Sequence, residues 1–471
     1  MSICFSSAKE IAQLIEKKEI STCEVIEMFV SQINKVNPMV NAIVSLQVEK
    51  AMEQAKKVDL KISKGEKLGV LEGLPVAIKD THHAVGFPTT FGSSIFKDFM
   101  PERDDILVER LKAAGAIVIG KTNVPEFAAG SHTYNKLFGT TKNPYDLSKT
   151  AGGSSGGAAA AVASGMLPFA DGSDMGGSCR FPAAFNNVVG LRPSPGRIPI
   201  YSEKAPYSWI GVHGTIARSV QDVGLLMSVM SGPDKRSPIS LDENCSGFLS
   251  INRRDLKGLK VAFTLDFGGQ FPVEPEIKEN FYKQIKVFEE LGAQVEEVHP
   301  DLYHAEEVFQ TLRALQFDAT FAELHEKHSD LLNPNLVGNI IKGKTLSSVD
   351  IKRALAYHGE LFHEVSCFFN SYDVLLAPVS QLAPFDAALD YPKFINNTPM
   401  TNYIDWMRSS YYISATGSPA LSVPCGFTAA GLPIGLQIIG PHRSDVNLLN
   451  IGYVYEQATG YGKRYPEIAI K

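Results

Sequence analysis

Lys79, Ser154, Ser155 and Ser178 are residues whose types and surroundings can do chemistry together. Lys79 closes the apolar run Leu74-Pro-Val-Ala-Ile78. Desolvation in a dry site disfavours an ammonium, lowers its pKa, and leaves a neutral amine able to act as a general base. Such a base needs a serine, and Ser–Lys arrangements are a variant of the serine triad. Two glycine-flanked serine sites follow. One is Ser154/Ser155 between Gly152-Gly153 and Gly156-Gly157; the other is Ser178 in Asp174-Met-Gly-Gly-Ser178-Cys-Arg180. Glycines beside a nucleophile let successive backbone N–H groups turn towards one point, as an oxyanion requires. Plainer readings stand beside this one. A lysine after a strand is commonly a solvated end residue, and a Gly/Ser run before a helix is commonly a tight connection or an anion-binding helix N-terminus.

Two further patterns match catalytic motifs in spelling only. Gly115-Ala-Ile-Val-Ile-Gly120-Lys121-Thr122 fits the P-loop expression. A P-loop cradles phosphate in a loop that opens a helix, whereas Ala-Ile-Val-Ile is strand material, so a helix stop leading into a buried strand is expected. Gly152-Gly-Ser154-Ser-Gly156 fits the nucleophile elbow, which must leave a core strand directly. The preceding Asn143–Thr150 is a turn-rich loop, and none of the 11 histidines stands in a context that marks it as a partner. His325 and His328 can share a helix face, but no third ligand is suggested, so a solvated face is expected and no metal.

The elements that must position these residues alternate between helix and strand. The first 70 residues read as helices, with capping boxes at Ser7/Glu10 and Ser21/Glu24 and apolar residues at Val25, Ile26, Phe29, Val30 and Ile33. Leu74–Ile78 reads as a strand, Asp104–Ala114 as a helix stopped by Gly115, and Ala116–Ile119 as a buried strand. Residues 130–157 read as mostly loop, Gly157–Met166 as a small-residue helix, 171–200 as irregular, and Ser219–Met230 as a helix with Asp222 at N3. After a polar connector over 242–255, strand, helix and strand recur at Leu259–Phe263, Glu276–Leu291 and Val295–Val298. Residues 300–370 read as largely helical, and 373–379 and 420–439 as strands. This is α/β organisation without internal repeats.

Composition sets the outer limits. The 471 residues are 44% hydrophobic and 20% charged, which excludes intrinsic disorder. The net charge of −6 comes without a basic stripe, so nucleic acid is not an expected partner. The six cysteines, at positions 4, 23, 179, 245, 367 and 425, form no CxxC pair. The N-terminus shows no basic region followed by a long apolar run, and no stretch is apolar enough to span a membrane. A cytoplasmic, reduced protein with no membrane partner is expected; a homodimer stays open.

Several tracts in order resemble the amidase signature family: Gly73-LPVAIK-Asp80, Gly120–Asn135, Gly139–Gly153, Gly152–Pro199 and Ser414–Pro441. The resemblance covers about 1–235 and 370–471 and is weak over 245–365. It implies an α/β fold: a large mixed, mostly parallel β-sheet flanked by helices on both faces. It implies a single unit over 1–471, divided into N-terminal helices (1–70), a signature core (71–235), a variable, mostly helical insertion (245–370) and a C-terminal return to the sheet (371–471). It also implies a Ser–cisSer–Lys triad, with Ser178 as nucleophile, Ser154 as bridging serine after a cis peptide and Lys79 as base. The serines are 24 residues apart, as in the family. Backbone N–H groups of Met175, Gly176, Gly177 and Ser178 would form the oxyanion hole. Ser155, Asp174 and Arg180 would support the loops.

The implied activity is hydrolysis of a small-molecule carboxylic amide through an acyl-enzyme, with no cofactor and no metal. Three departures from the family pattern stand out. Cys179 replaces an aliphatic residue and is expected to pack. Asn186-Asn187 replace a Cys-Gly pair, a variation associated with the cyclic-dimer amide hydrolases of nylon-oligomer degradation. His82-His83 stand where Asn is frequent, and are placed near the pocket mouth. Residues 350–372 show no counterpart of the Tyr-rich, Arg-bearing glutamine pocket of glutamyl-tRNA amidotransferase A subunits. A glutaminase-type subunit is therefore the alternative, and an inactive binding relative the alternative of another class. Tyr201, Tyr207, Trp209, Phe317, Trp406, Tyr411 and Tyr412 are candidates either for an apolar substrate pocket or for plain core.

Overall fold

Both N-terminal capping boxes form in the computed structural model, which describes residues 2–471. Ser7 caps α1 (Ala8–Glu16) and Ser21 caps α2 (Thr22–Val40), each with its glutamate reaching back to the cap backbone. The buried stripe of α2 includes Val25, Ile26, Phe29 and Ile33. The N-terminal part is not all helix, however. Asn41 takes a left-handed conformation, and β1 (Ile43–Leu46) follows before α3 (Val48–Ser63). Four residues are too few to show a strand period.

Next come β2 (Pro75–Lys79), α4 (Ile106–Ala113) and β3 (Ile117–Thr122). They form a three-stranded sheet in the order β1-β3-β2, with β2 and β3 parallel. The P-loop spelling is thus a strand. Gly115 ends α4 at φ +94°, and Lys121 is buried, donating to the His82 carbonyl at 2.5 Å and to Thr89 Oγ1 at 3.0 Å.

The main sheet contains β4 (Phe169–Asp174), β5 (Val189–Arg192), β6 (Val212–Ala217), β7 (Lys260–Phe263), β8 (Gln294–Glu297), β9 (Val374–Pro378), β10 (Ala420–Phe427) and β11 (Pro433–Ile439). Its order is β8-β7-β9-β11-β10-β5-β6-β4. The mixed sheet is found, but its expected parallel majority is not. Only β7 pairs in parallel, with β8 and β9, and every other pairing is antiparallel. The short link between β10 and β11 can close only a hairpin, and β6 returns between β4 and β5 instead of crossing over. Residues 171–200 are also more ordered than expected. They hold the end of β4, helix α6 (Arg180–Phe185) and β5, each too short for its period to show.

Helices cover both faces, as expected. Along β9, Val374 and Leu376 enter one apolar core while Leu375 and Ala377 enter another, the period-two division of a sheet buried on both sides. The first core takes in α7 (Val220–Met230) and α8 (Pro275–Glu290), and the second takes in α6. Beyond α8, the insertion is helical through α9 (Ala305–His328), α10 (Pro334–Lys344) and α11 (Ser348–Phe368); α12 (Arg408–Thr416) precedes β10. Among the described residues, no helix is long and apolar enough to cross a membrane.

Helix α5 (Gly156–Ala163) is buried along its whole length and touches strands of both sheets. It starts directly after Ser154 and Ser155, so the junction of the sheets fixes where those hydroxyls stand.

Candidate active site

The end of β2 carries Lys79 into this junction. Its backbone N–H donates to Asp171 Oδ1 on β4 at 3.0 Å, tying the small sheet to the large one. Its Nζ lies 2.8 Å from each of three hydroxyls, those of Ser154, Ser155 and Ser173. The residue has no exposed area. Burial lowers the amine to about 8, against the opposing pull of Cys179, Asp171 and Asp174. This is the dry lysine that the sequence suggested, with one more serine than expected. Ser173 belongs to the same strand as Asp171 and Asp174, and its composition gave it no mark.

The Gly153–Ser154 peptide bond is cis. Ser154 and Ser178 line one cavity of about 710 Å³. The Ser155 N–H donates to the Ser178 carbonyl at 3.2 Å, so the two serine loops are joined through their backbones. No hydrogen bond links the Ser154 and Ser178 hydroxyls in this state.

Of the four backbone donors assigned to an oxyanion hole, Gly177 is engaged elsewhere: its N–H donates to Asp174 Oδ1 at 2.9 Å. Those of Met175, Gly176 and Ser178 have no backbone or side-chain acceptor among the described residues. Gly177 is at φ +121°, and a Cβ there would lie 2.3 Å from the Phe181 ring, so only glycine fits.

Asp174 and Arg180 are joined in an ion pair. Arg180 grips the carboxylate with Nε at 3.0 Å and Nη2 at 2.9 Å, and also reaches the Ser410 carbonyl, Gln437 and Ser414. A second guanidinium, unnoticed in the sequence, completes the knot: Arg192 Nη1 donates to the Asp174 carbonyl at 2.5 Å and contacts Oδ1 at 3.3 Å. All three side chains are fully buried. Burial alone raises an Asp174 carboxyl, but Arg180 and Arg192 outweigh it and hold the group well below the usual carboxylate range.

Cys179 packs as expected. Its thiol lies against the backbones of Gly172 and Gly214, and burial pushes its pKa far up, so it is no rival nucleophile. Asn187 sits at φ +55° and donates to the Tyr461 and Arg464 carbonyls. Asparagine is among the non-glycine residues that tolerate this conformation. His82 and His83 both line the cavity. His82 lies deeper than the expected mouth position, with Nδ1 2.5 Å from Asp171 Oδ2.

The cavity walls are aromatic, though mostly through unexpected residues. Of the seven candidates only Phe317 lines it. Trp406 packs in the core against Phe181 and Phe185, Tyr411 stacks on Phe309, and Trp209 stacks on His358. Tyr412 packs near Phe267 and Phe271, Tyr201 lies under Arg103, and Tyr207 is exposed. The walls are instead Phe91, Phe96, Phe99, Phe127 and Phe321, which form a chain of ring contacts at 5.2–6.5 Å. These rings come from irregular segments and from α9, where no period marks a wall. His328 reaches the rim but His325 does not, and no group of side chains among the described residues can hold a metal ion.

Comparisons agree with this geometry. Residues 24–449 match the Amidase family. The chain is 35% identical to an acylamidase of Rhodococcus erythropolis over 98% of its own length and 97% of that protein. It is 34% identical to the A subunit of the glutamyl-tRNA(Gln) amidotransferase of Heliobacterium modesticaldum, over the full length of both. Among solved structures, a bacterial aryl acylamidase of the amidase signature enzymes superposes with a TM-score of 0.91 at 32% identity, covering 98% of each chain. The chain therefore belongs to the amidase family and is an amide-hydrolysing enzyme.

Proposed function

We propose that this chain hydrolyses carboxylic amides through an acyl-enzyme on Ser178, with Ser154 and Lys79 as the proton relay and residues 1–471 acting as one unit. The observation that carries this reading is Lys79: a fully buried amine among three serine hydroxyls, lowered to about 8. In its neutral form Lys79 takes the Ser154 proton while Ser154 takes that of Ser178. The Ser178 Oγ then bonds to the amide carbonyl carbon. The step requires the Ser154–Ser178 hydrogen bond to close when substrate binds; catalytic contacts commonly tighten in the complex. The N–H groups of Met175, Gly176 and Ser178 are free to receive the oxyanion, while that of Gly177 holds Asp174 in place. Collapse breaks the C–N bond, the relay returns a proton to the leaving amine, and water releases the acyl group as a carboxylic acid. Every group in these steps comes from one chain.

For the substrate, we infer an aryl or other apolar acylamide. Buried Phe127 and Phe317 line the walls; of the charged lining residues, Lys204, Glu323 and Lys327 are exposed at the rim, and buried Asp174 is already paired with Arg180 and Arg192. Free glutamine would need paired charges inside the cavity, which disfavours the glutaminase-type reading despite the amidotransferase relatives. The test combines an alkyl fluorophosphonate, intact mass and peptide mapping on wild type, Ser178→Ala and Lys79→Ala. A single adduct on Ser178, slowed without Lys79, is expected. An adduct on Ser154 overturns the assignment. Release of aniline from acylanilides, without release of ammonia from glutamine, is the matching result for the substrate.

A further inference from the structure

Beside the lysine cluster stands a second polar group that the steps above leave unused. Asp171 faces two ways. One oxygen holds the Lys79 backbone N–H at 3.0 Å, and the other lies 2.5 Å from His82 Nδ1. The His82 ring lies against His213, with centroids 4.3 Å apart and planes inclined by 50°. His213 stands on β6 directly opposite Ser173 of β4, whose hydroxyl is one of the three around Lys79. Residues paired in this way project from the same face of a sheet. Both imidazoles line the cavity together with Ser154 and Ser178.

His213 Nδ1 is buried and has no hydrogen-bond partner among the described residues. Burial drives this imidazole well below its ordinary pKa, and His82 and Lys79 push the same way. The ring is therefore neutral, with one nitrogen donating and the other accepting. Nδ1 itself is closed off, but the residue is partly exposed and borders the cavity, so a ligand that hydrogen-bonds the imidazole pairs a group that has no partner among the described residues.

We propose that His213 is a substrate-binding residue that selects amides carrying a second hydrogen-bonding group, such as a further amide, close to the scissile bond. Asp171 and His82 are its positioning residues. This rests on the cavity being the amidase site. A neutral imidazole and an amide are matched, since each offers one donor and one acceptor without charge. A purely aliphatic chain leaves the His213 nitrogen unpaired.

The test compares kcat/KM within two matched pairs of 4-nitroanilide-type substrates. In one pair the acyl part is N-acetylglycyl or pentanoyl; in the other, the aryl leaving group carries an acetamido or a propyl substituent. Wild type is expected to favour the amide-bearing member of one pair. His213→Phe, which keeps a ring against His82, should lose about tenfold of that preference, the size of one hydrogen bond. His213→Asn should lose less, and Asp171→Asn should shift the preference in the same direction. Fluorophosphonate adducts on Ser178 in each variant confirm a formed site. Equal losses for both members of both pairs overturn the proposal. So does acyl-enzyme accumulation in His213→Phe without a change of preference, which assigns the ring to the hydrolytic water. Absence of an adduct on wild-type Ser178 sinks the underlying amidase reading instead, and is told apart by occurring before any His213 variant is made.

Discussion

The floor and the walls of the cavity are built on opposite principles. On the floor, Lys79, Ser155, Asp174, Arg180 and Arg192 are buried and each makes several hydrogen bonds, those of Lys79 and Arg180 reaching residues far away in sequence. On the walls, the side chains of Phe91, Phe96, Phe99, Phe127 and Phe321 meet one another through ring contacts. A buried ion costs much free energy unless every bond is made, so a polar floor has one arrangement. Ring contacts are individually weak and weakly directional, so walls can be exchanged one residue at a time. Under the proposed mechanism the floor fixes the reaction and the walls fix what is admitted.

That contrast breaks most sharply at the proposed nucleophile, Ser178. Ser178→Ala should lower kcat by more than about 10³-fold with KM little changed, and Lys79→Ala by a similar factor, because both remove steps that no neighbour repeats. Steady-state rates on an acylanilide check both. Next comes the knot beneath. Asp174→Ala leaves the guanidinium groups of Arg180 and Arg192 buried without their carboxylate, which should cost about 3–5 kcal/mol of stability. A lower thermal midpoint, with activity reduced even at low temperature through the loosened Gly177 loop, is the expected result. An unchanged midpoint would show that the floor is not over-determined.

Legibility in the sequence followed the same division. Lys79 closes an apolar run and Ser154, Ser155 and Ser178 stand beside glycines, so these could be picked out, whereas Asp174 and Arg180 came only with the family resemblance. The family resemblance then gave each an expected role. Arg192 and Asp171 escaped because a charged residue inside a short strand looks like any surface charge until the sheet is assembled. The engagement of the Gly177 N–H could not be read either, since the direction of a backbone donor is a property of φ and ψ. The walls were almost invisible. Phe91 and Phe127 both adopt left-handed backbone conformations, at φ +54° and +50°, in irregular segments without a period. Trp406 and Tyr411, better candidates by size, are core residues. The sheet was foreseen as mixed, but strand direction depends on connections that only the fold reveals.

Acidity offers a gentler probe of the floor. The proposed relay needs neutral Lys79, and its amine is lowered to about 8 by burial. Below that pH the ammonium dominates, so kcat/KM on an uncharged anilide should fall about tenfold per pH unit. Above it the rate should level off. The check is a pH profile whose limb near 8 disappears in the residual activity of Lys79→Ala. A limb at about 6 instead would point to a histidine as the titrating base.

The walls should yield only graded effects, ordered by burial. Phe127 is 8% exposed and touches Phe91, Phe96 and Phe321. Phe127→Ala should raise KM for a bulky aryl acylamide about tenfold, in line with the few kcal/mol that one pocket residue can contribute. It should affect an acetyl substrate less. Phe99 is 37% exposed at the rim, where much of its ring area stays wet with or without substrate. Phe99→Ala should therefore raise KM by no more than about threefold, with kcat unchanged. KM series over acyl groups of increasing size separate the two. If Phe99→Ala cost as much as Phe127→Ala, or if either lowered kcat on the smallest substrate, the walls would be part of the reacting geometry and the division between floor and walls would fail.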